Sequence, residues 1–130
     1  MMKEIHEQPK AVEDTLHAYV KPVPGAQEGE EQIDLSAAEL TDEILSSIGT
    51  IHIVACGSAY HVGMVGRYVF EDLAGIPVNV DLASEFRYRN PVVTKDDVVI
   101  AISQSGETAG TLAAVQLAKR KGAFIYGICN

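Results

Sequence analysis

Apolar residues recur along the 130-residue chain in two different rhythms, and the change falls near residue 50. Before it, residues 3–19 are mostly polar and read as a helix interrupted at Gln8-Pro9, where the proline would open a new helical turn. The stretch KPVPGAQEGEEQID, 21–34, mixes prolines, glycines and acids and offers no packable face, so it reads as a linker. Asp34, Leu35 and Ser36 then offer caps for a second helix running to about Ser47, with Leu35, Leu40, Ile44 and Leu45 on one side.

From residue 50 the pattern alternates between strand and helix. Ile51 to Cys56 is a continuous β-rich run closed by Gly57-Ser58. Residues 59–74 follow with Val62, Val65, Val69 and Leu73 in register at helical spacing, and Gly75 stands where a helix C-terminus wants glycine. Ile76 to Val80 begins a second strand, Ser84 to Arg89 a short helix or turn, Val98 to Ile102 a third strand, Glu107 to Lys121 a long helix, and Phe124 to Cys129 a fourth strand. Such alternation requires right-handed crossovers and a parallel sheet covered on both faces, and strands buried on both sides need not alternate in polarity. The expected fold is a doubly wound α/β domain over residues 49–130, preceded by an N-terminal helical and linker segment over 1–48. A strand order of 2-1-3-4 would leave the fourth strand as an uncovered apolar edge, and such edges pair with other chains. Self-association into a homo-oligomer is expected.

Charge changes the picture only for the first segment. Residues 1–50 hold 11 acids and 3 bases, residues 51–130 hold 7 of each, and the whole net charge of −8 lies in the first part. An acidic chain lacks the Lys and Arg clusters that neutralise phosphates, so nucleic acid is not an expected partner. No apolar run approaches the length of a membrane span, and MMKEIHEQPK lacks the apolar core of a signal peptide, so a cytoplasmic setting without membrane contact is the expectation. Cys56 and Cys129 form neither a disulfide framework nor a metal spacing, and His6, His17, His52 and His61 form no ligand cluster. Neither the P-loop nor the G-x-G-x-x-G dinucleotide pattern occurs. No metal or organic cofactor is expected.

The chemistry concentrates at strand ends. In doubly wound sheets, ligands sit outside the carboxyl ends of the strands, where helix N-termini converge. Ser103-Gln104-Ser105-Gly106-Glu107-Thr108 follows the third strand and places three hydroxyls, an amide and a glycine in six positions. The glycine lets backbone approach a ligand, the following helix leaves N–H groups unpaired, and no Lys or Arg lies within the motif. Such a site binds phosphate through neutral donors and a helix end. The alternative is a plain helix cap, with Ser105 capping and Glu107 in the first turn. After the first strand, Ser58 can add a hydroxyl and an N–H to the same pocket, or serve as a cap. Glu85, Arg87 and Arg89 pair locally or face a partner.

Four segments also carry a resemblance. "EIHEQP", "ACGSAYHVGMVGRYVFEDLAGIPV" at 55–78, "ASEFRYR" at 83–89 and "ISQSGETAGTLAAVQLAK" at 102–119 together resemble the isomerase part of the glutamine–fructose-6-phosphate amidotransferase family. The resemblance implies a flavodoxin-like SIS domain and a fructose 6-phosphate or glucosamine 6-phosphate ligand. Position by position, Ser103, Gln104, Ser105 and Thr108 match phosphate and sugar contacts, Ser58 matches a ligand-contacting threonine, and Cys56 and Gly57 match the motif's lead-in. Where that family usually reads G-T-S, this chain has Gly57-Ser58-Ala59, and the missing hydroxyl could cost about 1 kcal/mol. The family's glutaminase domain, second SIS domain and C-terminal tail, with the histidine, glutamate and lysine of the isomerisation, have no counterpart here. The resemblance therefore implies an incomplete SIS domain that binds sugar phosphate, with no catalytic residue assignable in it. A stand-alone phosphosugar-sensing module is the alternative.

Overall fold

The computed structural model describes residues 1–25, 27 and 29–129, and these fall into two compact units, Met1–Leu45 and Ser46–Asn130. In the first, α1 (Met2–Tyr19) runs unbroken through Pro9, which does not start a new helix as the sequence suggested. A proline removes one backbone bond, to the carbonyl four residues earlier. Ion pairs one turn apart, Lys3 with Glu7 and Lys10 with Asp14, support the helix to either side of that position. All of α1 is solvent-exposed.

Residues 21–34 are not a plain linker. β1 (Val20–Pro22) and β2 (Glu31–Ile33) pair antiparallel, Val20 opposite Ile33, and Asp34 N–H closes the ribbon on the Tyr19 carbonyl at 2.7 Å. Backbone pairing without side-chain burial leaves no hydrophobic pattern to read. Ala26 and Glu28 of that stretch lie outside the described residues. The helix expected from Asp34 to Ser47 is also divided. A single 3₁₀ turn, Ser36–Ala38, ends at Glu39 in the left-handed region (φ 54°), and α2 (Asp42–Ser47) starts afresh. Two separate caps form here. The Asp34 carboxylate accepts from Ser36 N–H and Oγ at 3.0 and 2.6 Å, and Thr41 Oγ1 accepts from Ile44 N–H at 3.3 Å.

The second unit is a parallel four-stranded sheet in the order β4-β3-β5-β6, with β3 Thr50–Ala55, β4 Val78–Leu82, β5 Asp97–Ser103 and β6 Phe124–Cys129. The order is the expected 2-1-3-4, and β6 stands at one edge with Phe124 and Ile128 exposed. Helices α3 (Ser58–Ala74), α4 (Ala83–Tyr88) and α5 (Ala109–Arg120) are the crossovers. Alternate residues of each central strand feed opposite faces. Ile51, Ile53, Val98 and Ile100 form one core with Phe70 of α3 and Ile76. Val54, Val99 and Ala101 form the other with Ala83 and Phe86 of α4 and Ala114 and Ala118 of α5. Both faces are thus covered, which is why these strands read as unbroken apolar runs. β4 starts at Val78, later than its apolar run suggested, because Pro77 has no N–H for the ladder, and its carbonyl instead accepts from Ile51 at 2.9 Å. At the end of α4, Arg89 grips Asp81 of β4 with two bonds, 3.1 and 2.7 Å, while Arg87 lies over the Tyr88 ring at 5.1 Å.

One buried group is out of place. His52 sits in β3 with its ring edge toward Phe86, centroids 6.1 Å apart, and its Nδ1 is a buried nitrogen with no hydrogen-bond partner. Burial holds its pKa below the usual 6.5, and Arg89 adds to this, against the pull of Asp97 and Asp81. The unfolded chain therefore takes up this proton more readily than the folded one. Stability should be full above about pH 6.5 and fall as the pH drops below it. Thermal melts from pH 8 to pH 5 should show a steeper loss for the native chain than for His52→Phe, and parallel curves would refute the assignment.

Candidate functional site

Two crossovers bring polar groups to the carboxyl end of the sheet. After β3, Gly57 adopts φ 58°, ψ −135°, a combination open to glycine, and turns the chain so that Ser58 becomes the first residue of α3. After β5, Ser103 to Thr108 form a turn with Gly106 at φ 72°. Ser103 is nearly buried, and its Oγ accepts from Gly106 N–H at 3.2 Å while sharing a hydrogen bond of 3.2 Å with Thr108 Oγ1. Ser105 Oγ accepts from Glu107 N–H at 3.2 Å, which leaves its own proton free to donate outward.

The helix after this turn begins later than its sequence suggested. α5 starts at Ala109, with Thr108 rather than Ser105 in the cap position, and the first helical bond runs from Leu112 N–H to the Thr108 carbonyl at 3.0 Å. Glu107 therefore belongs to the turn. The backbone N–H groups at the start of α5 have no partner inside the helix and carry the positive end of its dipole. α3 presents a second such end at Ser58.

Between them lies an open cleft of about 270 Å³ lined by Ser58, Ala59, Val62, Ile102, Ser103, Gln104, Ile128 and Cys129. Of the residues singled out from the sequence, Ser58, Ser103 and Gln104 meet there, and Ser105 and Thr108 stand in the adjoining turn. Cys56 faces inward instead. Its Sγ receives a weak bond from Thr111 Oγ1 at 3.8 Å, and it packs against the buried cluster beside α5. The wall formed by Ile128 and Cys129 was not anticipated. The signal for it was the parallel register, in which Cys129 lies opposite Ser103. Among the described residues lining the cleft there is no lysine or arginine, so an anion here would meet hydroxyls, an amide and two helix ends. Among the described residues no group of three His, Cys, Asp or Glu side chains could hold a metal ion, and no helix is long and apolar enough to cross a membrane.

Comparison with known families decides the affiliation: the SIS domain model matches residues 44–130. The chain belongs to the SIS domain family. Over its whole length it is 52% identical to the glutamine–fructose-6-phosphate aminotransferase [isomerizing] of Clostridium tetani and 54% identical to that of Caldanaerobacter subterraneus subsp. tengcongensis. It spans 20% of the length of each. Among solved structures, the C-terminal domain of glucosamine-fructose-6-phosphate aminotransferase from Francisella tularensis superposes on all of this SIS chain with a TM-score of 0.81 and 40% identity, the chain covering 34% of it. Glucosamine-6-phosphate deaminase from Thermotoga maritima matches 70% of the chain, and the chain 29% of it, with a TM-score of 0.59 and 25% identity. The chain thus matches the isomerase region of the aminotransferases, in fold and in sequence.

Proposed function

We propose that this SIS domain binds the phosphate of a six-carbon sugar phosphate, fructose 6-phosphate or glucosamine 6-phosphate, at the carboxyl ends of β3 and β5. The observation that carries this reading is the Ser103–Thr108 turn, braced by Ser103 Oγ between Gly106 N–H and Thr108 Oγ1 at the start of α5. Ser105, Thr108, Gln104 and the first N–H groups of α5 donate to the phosphate. Ser58 and the N-terminus of α3 reach it from the other side, and Gly57 and Cys56 shape that approach. Neutral donors at a helix end suit a dianion that must also be released.

The parent activity suggested by the relatives is conversion of fructose 6-phosphate and glutamine to glucosamine 6-phosphate, in amino-sugar synthesis in the cytoplasm. In it, residues 49–130 supply sugar phosphate binding and residues 1–48 a helical lead-in. Aldose–ketose proton transfer needs a base on the sugar carbons, and none of the described residues lining the cleft is assigned that role. The chain works without metal, cofactor, nucleic acid or membrane, and it self-associates.

Fructose 6-phosphate and glucosamine 6-phosphate should raise the Tm of the purified chain more than inorganic phosphate does. At a hundredfold excess over Kd the stabilisation is about 2.7 kcal/mol. Ser105→Ala should weaken binding by about tenfold, the worth of one hydrogen bond to a charged group, while the exposed bond it loses from Glu107 N–H should lower the Tm of the ligand-free protein only slightly. No thermal shift with any sugar phosphate would refute the reading.

A further inference from the structure

The side of α5 that lies on the sheet is a single row of small residues, Thr111, Ala114 and Ala118, all buried. The two alanines rest in the apolar cluster with Val54 and Val99. Thr111 stands at the leading end of the row, 4% exposed, where a valine would have continued the apolar face. Its Oγ1 donates to the Cys56 thiol at 3.8 Å. On the same turn a Cβ at Gly110 would stand 3.5 Å from that sulfur, so the backbone of the turn already lies beside it. The thiol is therefore touched by two of the three residues, Ala109, Gly110 and Thr111, whose N–H groups open α5. The main chain of Cys56 leads straight into Gly57, which turns the chain into α3. One residue thus meets both helix ends beside the cleft, α5 through its side chain and α3 through its backbone.

We propose that Cys56 and Thr111 are positioning residues for the phosphate: their contact sets where the first N–H groups of α5 stand relative to the start of α3, and neither side chain touches the ligand. This rests on the phosphate reading above and deepens it. Neither residue is among those lining the cleft, and the thiol faces the interior. The physical argument is one of leverage. A hydrogen bond weakens steeply once its angle or distance is wrong. The N–H groups at the tip of α5 move together, so a small shift of that turn is felt by all of them at once. The small side chains along the row let the helix settle close to the sheet, and the bulky, polarizable sulfur fills the space beneath its first turn. The hydroxyl of Thr111 then holds the turn in register over the sulfur, which an apolar side chain of the same shape does not do.

Calorimetric titration of the whole chain with inorganic phosphate and with fructose 6-phosphate, at a temperature where every variant is folded, tests this. Cys56→Ala removes the seat and should weaken both ligands by the same factor, on the order of tenfold, the scale of one hydrogen bond to a charged group. Adding Gly110→Ala returns a methyl group to the vacated space and should recover most of that loss. Thr111→Val keeps the shape and removes only the hydroxyl, so both affinities should fall about threefold, the scale of a weak hydrogen bond. Thr111→Ser should restore most of the affinity lost in Thr111→Val. If Cys56→Ala does not fold, the Thr111 pair carries the same comparison. A loss confined to fructose 6-phosphate would overturn the proposal, because the thiol would then be meeting the sugar itself. Lowered Tm values with native affinities for both ligands would overturn it as well, leaving the two residues a purely structural part. A native chain that binds neither ligand would remove the phosphate reading and this inference together. A native chain that binds both, with Cys56→Ala and Thr111→Val binding equally well, would overturn this inference alone.

Discussion

Gly63→Val is expected to destabilise the protein by about 3 kcal/mol or more. A Cβ at Gly63 would sit 2.8 Å from Ile53 Cγ2 and 3.2 Å from Val80 Cγ1, and Ile53 is fully buried in the middle of the sheet. The first distance is shorter than carbon atoms tolerate, and the atoms involved are β-branched side chains with little freedom to move. α3 would have to lift from the sheet or Ile53 leave its rotamer. Overpacking of this kind costs about 1–3 kcal/mol for one or two carbons and occasionally more. Valine adds three carbons at the point of closest approach, and domains of this class have only about 5–15 kcal/mol in hand. Gly63→Ala should show the same effect at smaller amplitude. Urea titration of both variants measures it, and two midpoints equal to that of the native chain would show that α3 does not pack as closely as described. The functional consequence follows from the lever: α3 carries Ser58 at its leading end, so a helix pushed outward at Gly63 also misplaces the α3 side of the cleft.

Phe86→Ala should destabilise by about 3–5 kcal/mol and lower the Tm on the order of 10–20 °C. Phe86 is the largest of the fully buried side chains and fills the space between β3 and the helices of the other face, in contact with the His52 ring. Its neighbours Ala83, Ala114 and Ala118 are small and cannot close the hole. Phe86→Leu, which keeps most of the volume, should cost much less, on the order of 1 kcal/mol. Equal losses in the two variants would mean that the cavity is not the cause. Because this core seats α5, the Ala variant should also lose affinity for sugar phosphate at temperatures where it is still folded.

The α/β unit was legible because its strands are buried on both faces. Ile51 to Ala55 and Val98 to Ile102 form unbroken apolar runs only where both faces are covered, and that fact carries the parallel sheet and the crossovers with it, while the strand order followed from analogy with flavodoxin-like sheets. The N-terminal unit was not legible for the opposite reason. Its ribbon is held by backbone bonds between residues none of which is buried, and the helix after it is divided by two separate caps, Asp34 on Ser36 N–H and Thr41 on Ile44 N–H. The direction of α3 was ambiguous in a subtler way. Valines at helical spacing announce a helix, but the side against the sheet is marked by a glycine, whose lack of a side chain contributes nothing to a hydrophobic pattern. At the cleft, the hydroxyl-rich turn could be read from composition alone. The Ile128–Cys129 wall could not, since it depends on which residue of β6 stands beside Ser103.

The cleft draws on segments near residues 58, 103 and 128 that are far apart in sequence and meet only through parallel strand pairing. Closing such long loops is slow and comes late in folding, after local helices have formed. On the proposed reading, a sugar phosphate finds its full set of partners only once these three segments have been brought together by strand pairing. Ligand present during refolding should slow subsequent unfolding while leaving the refolding rate itself unchanged.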